Sequence, residues 1–167
     1  MRIKWFSLIR ITGLLLVLLY HFFQTIFPGG FFGVDVFFTF SGFLITSLLL
    51  EEFGKARQID LLGFFKRRFY RIVPPVVLMV LVTMPFTLLV RQDYVAGIGG
   101  QIAGVFGFMT NFYEMLTGGS YESQFIPHLF VHNWSLAVEV HYYILWGLAV
   151  WFLSKRSKSS RDRKSVV

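Results

Sequence analysis

Hydrophobic positions run along this sequence in four near-continuous blocks, at about 8–27, 33–50, 76–90 and 134–153, with a fifth, glycine-rich block at 97–116. A helix needs about 20 mostly apolar residues to cross a bilayer, so each block is a candidate span. The fifth is ambiguous: seven glycines lie between Gly97 and Gly119. So many glycines suit either close helix packing or a broken, re-entrant segment. Residues 51–75 show a different pattern. Asp60 is placed to cap a helix in which Leu61, Leu62, Phe65, Phe69 and Ile72 form an apolar stripe. Lys66, Arg67 and Arg71 fall on its other faces, and Val73-Pro74-Pro75 is predicted to end it. The expected fold class is an all-α, polytopic transmembrane helix bundle. It has four to five hydrophobic segments plus a cytoplasmic amphipathic helix.

Composition strengthens this. The chain is 55% hydrophobic with 21 Phe, and its mean hydropathy is +0.62. It has no cysteine, which excludes disulfides and thiolate-ligated metal. The net charge of +7 sits between spans and at the chain end, the positive-inside pattern, so a nucleic-acid role is not expected. The first block is too long for a signal peptide, holds Arg10 and precedes no small-residue cleavage site. The expected setting is the cytoplasmic (inner) membrane, multi-pass, with a cytoplasmic N-terminus. Residues 1–154 would form the membrane part and 155–167 a basic tail. Five full crossings would leave that tail outside, whereas 117–133 has no Lys or Arg and suits the outer face. Both fit if 97–116 does not cross completely.

Four ionisable residues inside the apolar blocks carry the candidate chemistry, because a charge within a span is costly and marks function by default. Asp35 opens the second block, as either a functional carboxylate or a helix cap. Arg10 and His21 in the first are 11 positions apart, close to three helical turns, so they share a face about 16 Å apart. A short turn, Phe27-Pro28-Gly29-Gly30, joins the first two blocks and places His21 and Asp35 at similar depth. Histidine is the side chain best matched to proton transfer near neutral pH, although a lone one is often only a packing residue. Glu139 lies more than a turn into the last block, with Ser135 and Tyr143 on its face. The three arginines among positions 67–71 either contact lipid phosphates or clamp an anionic ligand.

Taken in order, four stretches resemble the acyltransferase 3 family of integral membrane acyltransferases. They are the Arg10–His21 spacing, GVDVFFTFSGFLIT from Gly33, RRFYRIVP from Arg67, and HNWSLAVE ending at Glu139. The resemblance implies an enzyme moving an acyl group, acetyl first, from acyl-CoA to a hydroxyl of a carbohydrate or other cell-envelope acceptor. It implies His21, Asp35 and Glu139 as catalytic residues, with Arg10, Arg67, Arg68 and Arg71 binding the donor, and no metal. The implied partners are the lipid bilayer, acyl-CoA and the acceptor. Two departures stand out. The family often continues the last block with Glu-Gln-Phe-Tyr, where this chain has Val140-His141-Tyr142-Tyr143. The family domain also has about ten spans, so this chain matches its N-terminal half. The alternative is a truncated, non-catalytic membrane protein, or a half-domain acting with a second chain that supplies the missing spans.

Overall fold

The computed structural model describes residues 4–87, 89, 97–117 and 128–164, and these divide into two compact units, up to Arg57 and from Gln58 onward. The described residues are helical, without strands. Among the described residues, three helices are long and apolar enough to cross a membrane: Pro28–Ala56, Leu61–Thr87 and Val131–Arg156. A shorter apolar helix covers Ser7–Phe22. The end of the third expected span at Val90 and residues 118–127 of the polar loop lie outside the described residues.

The first unit is a helical hairpin. Helix α1 (Lys4–Phe22) and helix α2 (Phe32–Ala56) are joined through a 3-10 turn at Pro28–Phe31. Glycine permits their approach: a Cβ on Gly33 would lie 2.5 Å from the Gly13 carbonyl oxygen and 2.8 Å from Val17 Cγ2. The helix start is closed by backbone. The Phe32 N–H reaches the Gly29 and Gly30 carbonyls, and Phe31 occupies the cap position without a side-chain bond. Asp35 is in the first turn but is not the cap, so that expectation is corrected. Arg57, at φ 55°, ends α2 with its N–H on the Phe53 carbonyl at 2.9 Å.

In the second unit, α3 (Leu61–Thr87) starts as the sequence predicts, with the Gly63 N–H donating to Asp60 Oδ1 at 2.9 Å. It does not end at Pro74-Pro75. The amphipathic stretch and the third apolar block form one helix through Pro74, Pro75 and Pro85. The prolines remove the donors for the Tyr70, Arg71 and Leu81 carbonyls. An apolar span tolerates this because the helix still satisfies the rest of its backbone internally. Replacing Pro74 by alanine returns the donor for Tyr70. The expected outcome is an unchanged helix content by circular dichroism and a stability gain of up to about 3 kcal/mol. A lower Tm in detergent would show that the interruption is required.

The glycine-rich block is broken into α4 (Ile98–Phe106) and α5 (Thr110–Thr117), of nine and eight residues. Neither reaches bilayer length alone. The break falls at Phe108, which adopts φ 52°, a left-handed conformation rare for a side chain of that size. The two short helices fold on each other, with the Tyr113 ring filling the space over Gly100. Helix α6 (Trp134–Lys164) follows a 3-10 turn at Val131–Asn133. It carries on without a break through the basic stretch expected as a separate tail, since residues 154–164 hold no Gly or Pro. The core of this unit is Val76 and Val80 of α3, Val105 of α4 and Phe130, all buried.

Candidate active site

In the first unit His21 occupies the last turn of α1, exposed, with Nδ1 2.8 Å from the Val17 carbonyl oxygen. A carbonyl only accepts, so the neutral ring carries its proton on Nδ1 and its lone pair on Nε2. That is the tautomer a base acting through Nε2 requires. The Tyr20 ring stands edge-on to His21, centroids 5.7 Å apart. Arg10 is half-buried on α1, and Asp35 is exposed on α2.

Hairpin register separates His21 from Asp35, the pair expected together. Gly33 lies against Gly13 and Val17, and the Phe37 ring against Gly13. Asp35 therefore comes level with Gly13, roughly two turns (about 11 Å) along α1 from His21. The expectation of similar depth is corrected: a short aspartate cannot span two turns to hydrogen-bond the ring. Asp35 instead stands between the levels of Arg10 and His21.

The second unit holds the three arginines and Glu139, and treats each differently. The space over Gly63 is filled by the Asp60 carboxylate and the Arg67 guanidinium, so Arg67 has a carboxylate beside it. Arg68 is half-buried, its guanidinium 5.7 Å from the Phe64 ring centre and 5.6 Å from that of Tyr143. Arg71 is exposed. Tyr143 is buried and donates its hydroxyl to Glu139 Oε1. The basic stretch of α3 and the Trp134–Glu139 stretch of α6 thus meet at Tyr143. Beside them opens a cavity of about 420 Å³ lined mainly by apolar side chains of α3 and α6, with Phe108, Lys66 and Arg68 at its wall. Apolar walls with a few cations suit a ligand that is part hydrocarbon and part anion.

Sequence reasoning did not single out the polar interior of α4 and α5. Gln101, Thr110, Asn111 and Glu114 are buried there, and Glu114 Oε2 lies 2.6 Å from His128 Nδ1. The available signal was four polar residues in one otherwise apolar block. Among the described residues, no group of three or more His, Cys, Asp and Glu side chains is placed to hold a metal ion.

A family model described as an acyltransferase domain matches residues 3–161. The chain belongs to the acyltransferase 3 family. It is 35% identical over 150 residues to O-acetyltransferase OatA of Staphylococcus aureus strain NCTC 8325 / PS 47, covering 90% of this chain and 25% of the relative. It is also 35% identical over 136 residues to a putative O-acetyltransferase of S. aureus strain COL, covering 81% and 22%. This acyltransferase 3 chain therefore spans about a quarter of the length of the curated relatives it matches. No solved structure matches it.

Proposed function

We propose that the chain takes part in membrane acyl transfer, moving an acyl group, acetyl first, from acyl-CoA to a hydroxyl of a carbohydrate or other cell-envelope acceptor. The observation that carries the proposal is the His21 ring, exposed at the end of α1 with Nδ1 held on the Val17 carbonyl, which sets the neutral ring in the tautomer a base acting through Nε2 requires. The acceptor hydroxyl gives its proton to Nε2 as its oxygen attacks the thioester carbon, the carbon–sulfur bond breaks, and the thiolate leaves with the proton. Asp35 and Arg10 act in this unit as the charges nearest that face. Glu139 acts through the hydroxyl of Tyr143. Arg68 and Arg71, with Arg67 weaker because Asp60 already faces it, hold the phosphates of the donor. The orientation that accompanies the proposal is an inner membrane with the N-terminus in the cytoplasm, donor on that side and acceptor on the other.

Transfer of label from radioactive acetyl-CoA by membranes holding only this chain tests the proposal. No transfer above empty membranes rejects activity of the chain alone. A second form of the same function is favoured by the exposure of His21 and Asp35 in apolar helices. In it, further spans on another polypeptide complete the site, and label transfer appears only when both are present. Within the donor site, Arg71→Ala is expected to weaken acetyl-CoA binding by roughly 1.5–3 kcal/mol, the range for a hydrogen bond to a charged group. Arg67→Ala is expected to change it less, as isothermal titration would show.

A further inference from the structure

The reaction outlined above makes no use of the buried pair Glu114–His128. Glu114 Oε2 and His128 Nδ1 are 2.6 Å apart, with side chains 9% and 14% exposed. Glu114 is on α5, and His128 belongs to the stretch that leads into α6. Two residues on, the Phe130 N–H donates to Gln101 Oε1 of α4 at 3.3 Å, and the Phe130 ring is sealed in the core. Asn133 Nδ2 then donates to the Phe130 carbonyl and Ser135 Oγ to the His132 carbonyl, each at 3.3 Å. Residues 128–135 are therefore fastened at both ends, and what they lead into is the first turn of α6. Glu139 follows one turn later.

This cluster is poorly explained as a stabilising device. A buried carboxylate–imidazole pair is commonly matched in stability by apolar side chains of the same volume. Three further oxygens, Thr110 Oγ1, Asn111 Oδ1 and Glu114 Oε1, are sealed without a hydrogen-bond partner among the described residues. A chain shaped for stability alone would place leucine or phenylalanine here. What a carboxylate–imidazole bond supplies, and apolar contact does not, is direction.

Resting on the acyl-transfer reading, we propose that Glu114 and His128 are positioning residues that set the start of α6 and so aim Glu139 and its partner Tyr143. Glu114 touches neither donor nor acceptor. It acts through His128 on the backbone that carries Glu139.

The test uses the full chain in membranes, with its second polypeptide if activity requires one. Glu114→Leu keeps volume and removes direction, while Glu114→Gln keeps an acceptor for His128. The expected result for Glu114→Leu is a lower Tm, because His128 loses the partner of a buried pair, with a kcat per folded protein lowered by roughly tenfold to a hundredfold and an acetyl-CoA KM within about twofold. Amide exchange at 128–135 should rise, and Glu114→Gln should restore most of both. A kcat that stays at the wild-type value with unchanged exchange overturns the proposal. So does a kcat that falls only in proportion to lost folded protein. If Glu114→Leu does not accumulate, His128→Leu removes the bond from the other side and is judged by the same two readouts. A wild type without transferase activity rejects the acyl-transfer reading, and exchange at 128–135 then decides the fastening by itself.

Discussion

Replacing His21 by alanine is expected to lower acyl transfer by about 10²–10⁴-fold, the usual contribution of a positioned general base. The protein should still accumulate and fold. His21 is exposed at the end of α1 and bonds within its own helix, so its removal leaves the contact of Gly13 with Gly33 intact. Label transfer from acetyl-CoA, normalised to membrane protein level by immunoblot, checks it. Activity retained within a few-fold would remove His21 from the base role. Asp35→Asn is the informative companion. With the carboxylate about two turns from the ring, its effect should come through the charge balance of Arg10 and His21 rather than through a lost hydrogen bond.

Gly33→Ala is expected to disrupt the hairpin that carries His21 and Asp35. The added Cβ would stand 2.5 Å from the Gly13 carbonyl oxygen and 2.8 Å from Val17 Cγ2. Backbone cannot yield as a flexible side-chain tip can, so α1 and α2 must move apart. Overpacking of this kind costs about 1–3 kcal/mol, and here it also changes the register that positions the two ionisable groups. Gly54→Ala is the matched control: it lies on the same helix, and nothing stands within 4 Å of its added Cβ. Cysteine cross-linking between α1 and α2 should fall for the first variant and not for the second. Equal cross-linking in both would show that the close approach is dispensable.

Much of the candidate site was legible in the sequence because it is written in local spacing. Arg10 and His21 share one helix face, and Tyr143 bonds to Glu139 one turn away, as their separations require. Asp60 caps α3 by the ordinary side-chain bond of its residue type. The failures also have particular causes. Pro74-Pro75 was a sound stop signal by the rules of helices in water, where a lost hydrogen bond is readily replaced by solvent. In an apolar span, continuing the helix is the better way to satisfy the remaining backbone.

Periodicity along the chain, with its runs of Leu, Phe and Val, determined by itself that this is an all-α membrane protein and which blocks its long apolar helices contain. The four stretches that resemble the family's motifs were also readable in order. Tertiary structure alone decided which of those stretches meet. It brought Arg68 to Tyr143, set Asp35 two turns from His21, and paired Glu114 with a histidine 14 positions away. The reason is physical. Side-chain direction within one helix follows from 3.6 residues per turn, whereas register between helices depends on small residues such as Gly33 and on packing across distant parts of the chain.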